Sequence, residues 1–197
     1  MIYLSLGPNC HSSGIIKLLN LKKRSYPFDW LISDLDIVID CLLDNFNKFI
    51  NKESYYKKDN DLIIYHKCYT KLKFVHKDPT KEIDYLYTLR CIERFNNLQY
   101  CNDEMSFLYT TYGSSIDIDK IKILHKLLLE KFVNIKIIIC NYIKVNLIND
   151  IRHEYIKTNI YTIINIYIVY DTMKKYDIDR RIMNYHTIHN PISSLDN

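Results

Sequence analysis

The sequence predicts an α/β protein, a mainly parallel sheet flanked by helices in Rossmann-like alternation, with a hairpin insertion. Three observations predict it. β-prone runs alternate with stretches of helical period through most of the chain, the pattern of a sheet covered by helices. The run Ile135 to Cys140 is almost continuously apolar, as a strand buried on both faces is. Helix-start signals follow the β-prone runs, at Asn9, Ser33 and Ser114.

In chain order, Ile2 to Leu6 is β-prone and stops at Gly7-Pro8, where glycine's freedom and proline's missing donor enforce a turn. Asn9 is a preferred N-cap, and Ile15, Leu18 and Leu19 give the next helix its apolar stripe, so Cys10 falls in the first turn and Gly14 permits close packing. After a polar loop and Pro27-Phe28-Asp29-Trp30, the capping box Ser33-x-x-Asp36 opens a helix with Leu35, Val38, Leu42 and Phe46 on one face. Asp61 to His66 and Tyr69 to Val75 read as the two strands of a hairpin, the second alternating like a half-exposed strand. His76 stands just past it.

Pro79 starts a helix reaching about Leu98, with Tyr85, Leu89, Ile92 and Phe95 on one face. Met105 to Tyr112 is a strand ending at Gly113, and Ser114-x-x-Asp117 is a second capping box, before a helix buried along Ile118, Ile121, Leu124, Leu128 and Phe132. Beyond Tyr142 the periods blur, although Ile160 to Val169 reads as one more strand, central or edge. The expectation is one domain over 1–197, with its core in about 1–142 and a less defined part over 143–197.

Composition excludes several classes. Hydrophobic residues at 48% and charged residues at 25% are ordinary for a globular chain and far from the signature of disorder. The net charge of +4 is spread along the chain, and the short runs Lys22-Lys23-Arg24 and Lys57-Lys58 read as solvated charges, so a nucleic-acid partner is not implied. The longest late apolar run, Ile160 to Tyr170, is too short for a bilayer, which needs about 20 such residues, so no membrane partner is implied either. The 6 cysteines form no Cys-x-x-Cys pair, and no basic stretch followed by a long apolar run opens the chain. Free thiols and a cytoplasmic location follow.

Among those thiols Cys10 is the candidate nucleophile, because a helix N-terminus favours negative charge and so favours a reactive sulfur. The alternative, a small hydrophobe packed under the turn, stays open. A nucleophilic thiol needs a base, and the 7 histidines offer several. His76 is preferred, since it ends a strand and has Asp78 nearby to orient an imidazole; His66 is the reserve. His11 adjoins Cys10, but consecutive helical residues point about 100° apart, which disfavours pairing. Asp29 beside Trp30 is a second-tier candidate, because a buried carboxylate needs donors. A zinc site from His66, Cys68 and His76, or from His186-x-x-His189, lacks the usual ligand spacing. Gly7-Pro8-Asn9-Cys10 lacks the glycines of a phosphate loop. No metal and no cofactor are therefore expected.

Two blocks, Ser5-Leu6-Gly7-Pro8-Asn9-Cys10 and Ser25-Tyr26-Pro27-Phe28-Asp29-Trp30, resemble the opening of the papain-like cysteine peptidase family, a domain of unknown function found in bacteria and large DNA viruses. Phe74-Val75-His76, Cys91-Ile92-Glu93-Arg94-Phe95 and Met105-Ser106-Phe107-Leu108 are similar to its later elements, so the resemblance covers about two-thirds of the chain. It implies Cys10 as nucleophile and His76 as base, with Asn9 beside the Cys10 amide stabilising an oxyanion. Two positions depart from the pattern: Lys77 stands between His76 and Asp78, and Tyr109 stands where an arginine is expected. The abundance of Ile, Asn, Lys and Tyr and the absence of Ala fit an AT-rich genome such as a large DNA virus, which would make the location host cytoplasm.

Two further readings stay beside a cysteine-dependent hydrolase of a protein, peptide or small-molecule substrate. One is a non-hydrolytic ligand-binding or transferase module, whose Gly7 to Cys10 and Gly113 to Ser115 turns cradle an anionic or glycan-like ligand. The other is a viral interaction protein that keeps the fold without catalysis.

Overall fold

The computed structural model describes residues 1–113, 115–145 and 152–169. Along them run β1 (Ile2–Ser5), α1 (Cys10–Leu18), β2 (Leu31–Ile32), α2 (Leu35–Leu43), β3 (Tyr55–Lys57), β4 (Ile64–His66) and β5 (Lys73–Phe74). There follow α3 (Glu82–Asn97), β6 (Met105–Tyr112), α4 (Ile118–Lys131), β7 (Ile135–Val145), β8 (Arg152–Lys157) and β9 (Tyr161–Val169). The main sheet has the order β1-β6-β7-β9-β8 and is parallel except where β8 pairs antiparallel with β9. The predicted hairpin belongs to a second, antiparallel sheet of order β2-β5-β4-β3.

Period-2 alternation along the long strands sorts their side chains onto two faces. Phe107, Ile137, Ile139 and Ile163 enter the larger core, beneath α2, α3, α4 and the small sheet. Their neighbours Leu108, Ile138, Cys140 and Ile164 face the other way, onto Ile15 and Ile16 of α1. With apolar residues needed on both faces, β7 reads as an unbroken apolar run. β9 lies between β7 and β8, so the strand expected over Ile160 to Val169 is an interior one. The strand β8 lies where the periods blur; its Glu154 to Lys157 are exposed at the sheet edge, so no alternation marks it.

Several local expectations are corrected. The cap of α2 is Asp34, whose carboxylate accepts the Ile37 N–H at 3.0 Å, and that of α4 is Asp117, which accepts the Lys120 N–H at 3.1 Å. Each lies inside the Ser-x-x-Asp stretch, where aspartate is as good a cap as serine. α3 begins at Glu82, three residues after Pro79. In α1 Ile16 replaces Leu18 in the stripe, and Leu18 is 57% exposed. Among the described residues a Cβ at Gly14 would meet nothing within 4 Å, so no close packing there calls for that glycine. Ser114 and the His186-x-x-His189 pair lie outside the described residues. Among the described residues no helix is long and apolar enough to cross a membrane.

Candidate active site

β1, β6 and β7 run parallel, so their carboxyl ends share one edge of the sheet, and the turn leading to Cys10 leaves from that edge, where such sheets place ligands. Leu6 N–H donates to Leu108 O at 2.9 Å and Thr110 N–H to Gly7 O at 3.2 Å, so the turn stays in step with β6. Ser12 Oγ donates to Gly7 O at 2.6 Å and shares a 3.0 Å hydrogen bond with Thr110 Oγ1. Gly7 has φ +84°, a conformation that calls for glycine, and a Cβ there would also force the Ser33 hydroxyl to turn aside. Ser33 N–H closes the arrangement by donating to Pro8 O at 2.7 Å. The turn is thus held by α1, β6 and the segment after β2.

Asn9 is extended and its Oδ1 accepts the His11 N–H at 2.8 Å, which starts α1 and makes Cys10 its first residue. Asn9 Oδ1 is committed to the cap, which leaves its Nδ2 as the group able to face an oxyanion. Cys10 is half-buried, whereas Cys41, Cys91 and Cys140 are buried. Burial pushes those three thiols up, that of Cys140 to about 12. Cys68 is exposed and Cys101 half-buried.

His76 stands exposed two residues past β5, its ring edge-on to Trp30 with centroids 5.9 Å apart. Among the described residues no hydrogen bond joins Cys10 Sγ to an imidazole, and none joins His76 to Asp78. The Asp78 carboxylate instead accepts the Thr80 N–H at 3.1 Å and the Thr80 hydroxyl, with Lys81 Nζ at 3.6 Å. It organises the turn before α3. His11 turns to the aromatic side of the sheet edge: it hydrogen-bonds Tyr112 OH and stacks on Tyr142 with centroids 5.1 Å apart.

The reserve base is occupied by backbone. His66 is buried, its Nε2 is 3.1 Å from Lys48 O and its Nδ1 accepts the Cys68 N–H at 3.2 Å; burial pulls its imidazole below the ordinary histidine range. Among the described residues no group of three or more His, Cys, Asp or Glu side chains is placed to hold a metal ion.

Asp29 is 1% exposed and accepts the Tyr26 N–H at 2.7 Å, and its carboxylate pairs with Lys22 Nζ at 2.5 Å. Burial pushes the carboxyl up from the usual range, and the Lys22 ammonium pulls it part of the way back. The Ser13 hydroxyl, one turn beyond Cys10 in α1, approaches the same carboxylate without closing a hydrogen bond of normal geometry. Lys22 Nζ also lies over the Trp30 ring, 5.5 Å from its centroid. Sequence reasoning missed Lys22, Ser13 and Ser33 as partners of the site. Lys22 looked like part of a solvated basic run, and no periodicity marks a serine that meets a glycine 26 positions away across the fold.

Fold and site together define a class: an α/β protein with a half-buried cysteine opening the helix after its first parallel strand. The chain belongs to the family described as "Putative papain-like cysteine peptidase" (DUF1796), a domain of unknown function, which matches residues 1–191. No curated protein and no solved structure matches the chain.

Proposed function

We propose that the protein is a cysteine-dependent hydrolase acting by acyl transfer, with Cys10 as nucleophile and His76 as base. The observation that carries the reading is the position of Cys10, half-buried at the first residue of α1 on the carboxyl edge of a parallel sheet. Family membership supports the same chemistry.

In the reaction the Cys10 proton passes to His76 as Sγ bonds to the substrate carbonyl carbon. The carbonyl electron pair moves onto oxygen, which the Cys10 backbone N–H and Asn9 Nδ2 hold. Collapse breaks the bond to the leaving group, which takes the proton from His76 and leaves a thioester on Cys10. Water gives a proton to the same imidazole and attacks the thioester, and loss of the carboxylic acid restores the thiol. Substrates of this chemistry are peptides, proteins or small acyl compounds. Asp29 and Asp78 touch no reacting group in this scheme; Asp29 frames the site and Asp78 shapes the loop after His76.

Iodoacetamide labelling near neutral pH, read site by site by mass spectrometry, tests the reading. Cys10 should react about tenfold faster than exposed Cys68, and His76→Ala should slow it. Equal rates at Cys10 and Cys68, together with a Cys10→Ser variant indistinguishable in function, overturn it. One observation favours a second reading, a non-hydrolytic ligand-binding module: no imidazole is hydrogen-bonded to Cys10 among the described residues. Under that reading Cys10 labels no faster than Cys68, and a nucleotide or sugar nucleotide raises the melting temperature.

A further inference from the structure

We infer that Trp30 is the positioning residue of His76, with the buried Asp29–Lys22 ion pair as the brace behind it. The inference rests on the proposed role of His76 as base and names what makes an exposed histidine serve that role.

His76 leaves a two-residue strand and is exposed, so nothing in its own element fixes the ring. Its ring contact is with Trp30, 5.9 Å between centroids at 85°, the edge-to-face geometry that aromatic quadrupoles favour. The pairing of β2 with β5, Leu31 opposite Phe74, brings Trp30 and His76 to the same end of the ladder. Trp30 itself is half-buried, unlike its neighbours Phe28 and Asp29, so its ring is not spent on the core.

The indole is in turn contacted by a cation. Lys22 Nζ lies 5.5 Å from its centroid, and that ammonium is fixed by Asp29, itself anchored by the Tyr26 N–H. A lysine 10% exposed and locked to a buried carboxylate is a rigid cation, and a rigid cation on an indole face limits the ring's freedom. The Asp29 carboxylate also faces Ser13 of α1, one turn from Cys10. A single block, Tyr26 to Trp30, therefore touches both the helix that carries the nucleophile and the ring proposed to deprotonate it. A tryptophan that merely filled space would need neither a buried ion pair over its ring nor a histidine ring set perpendicular to it.

The test is the labelling rate of Cys10 by iodoacetamide at pH 7 in the full chain, for wild type, W30A, W30F, H76A and W30A/H76A. An aromatic contact of this kind biases a ring's orientation by roughly three- to tenfold, so W30A should slow Cys10 by that factor while W30F retains most of the rate. In the H76A background W30A should add nothing, a non-additivity that a purely structural role would not produce. An unchanged rate in W30A, or the same slowing with and without His76, overturns the inference and leaves the Cys10–His76 reading standing. If H76A alone leaves the rate unchanged, the base assignment falls and this inference falls with it. Should W30A fail to fold, nuclear Overhauser contacts between the His76 and Trp30 rings decide in the wild-type protein: their presence supports the inference and their absence overturns it.

Discussion

Lys22→Met keeps an apolar stem of similar length and removes the ammonium that lies over Trp30. Among the described residues it leaves the Asp29 carboxylate, 1% exposed, with the Tyr26 N–H as its remaining hydrogen bond and with Oδ1 unpartnered. Breaking one side of a buried ion pair costs about 3–5 kcal/mol, because the charge left behind has lost water and partner together. For a chain of this size each kcal/mol moves the melting temperature by roughly 2–4 °C, so Lys22→Met should lower it by about 6–20 °C. The double variant K22M/D29N should recover most of the loss, since asparagine keeps the Tyr26 contact and carries no charge. The pH dependence has a definite sign. The folded-state pKa of Asp29 lies above its ordinary value of 3.8, so the group's contribution to stability is full below that value and is lost as pH rises through the folded pKa. Removing Lys22 raises the folded pKa further, so the gap between Lys22→Met and wild type should be widest at neutral pH and narrow toward acid. Thermal melts followed by circular dichroism from about pH 3, below the ordinary carboxyl value, up to about pH 8 measure all three quantities. A loss under about 2 °C at pH 7, no recovery in the double variant, or a gap that widens toward acid would refute the argument.

The remaining predictions concern the frame of the site and are read by urea denaturation unless stated. Gly7→Ala puts a Cβ 2.4 Å from Ser33 Oγ at φ +84° and should cost about 1–3 kcal/mol; adding Ser33→Ala removes the clash but not the backbone strain, so recovery should be partial. Ser33→Ala alone should cost under about 1 kcal/mol, because the hydroxyl has no hydrogen-bond partner among the described residues, whereas Asp34→Ala, which removes the cap of α2, should cost about 0.5–2 kcal/mol. Gly14→Ala should stabilise by about 0.5–1 kcal/mol, since its helical Cβ meets nothing within 4 Å among the described residues. Cys41, Cys91 and Cys140, whose burial pushes their thiols up, should stay unlabelled by iodoacetamide at pH 8 until urea unfolds the chain, which mass spectrometry reads directly.

The parts of the fold legible in the sequence are those written in local chemistry. Alternation, caps and apolar runs marked α1, α2, α4, β1, β6 and β7 because each needs a particular residue type within a few positions. The small sheet was legible only as a hairpin. β2 is two residues long and β3 three, too short to show a period, and both exist through their pairing with β5 and β4. At the site, Cys10 could be placed on its helix from Gly7-Pro8-Asn9 alone, since that turn is local. The partners of Asp29 could not. Nothing in Lys22-Lys23-Arg24 distinguishes the lysine that ends 10% exposed on a carboxylate from the neighbours that stay in water.

That distinction bears on what the Pro27 to Trp30 block does. A buried ion pair contributes little net stability, since desolvation offsets most of its attraction, and well-packed apolar residues in its place are often at least as stable. The chain already has an aromatic core to hold it together, with Phe28, Phe46, Phe49, Phe95, Phe107 and Phe132 all at most 2% exposed. What the Asp29–Lys22 pair adds is direction. A carboxylate that accepts from the Tyr26 amide and faces Ser13, and an ammonium that reaches both it and the Trp30 face, admit few alternative packings, whereas a leucine pair would admit many. Fixing a helix start and a strand end against each other to within a fraction of an ångström is what a two-residue catalytic site demands and what core stability alone does not. The ion pair's effect on Cys10 reactivity should therefore exceed what its effect on melting temperature would suggest.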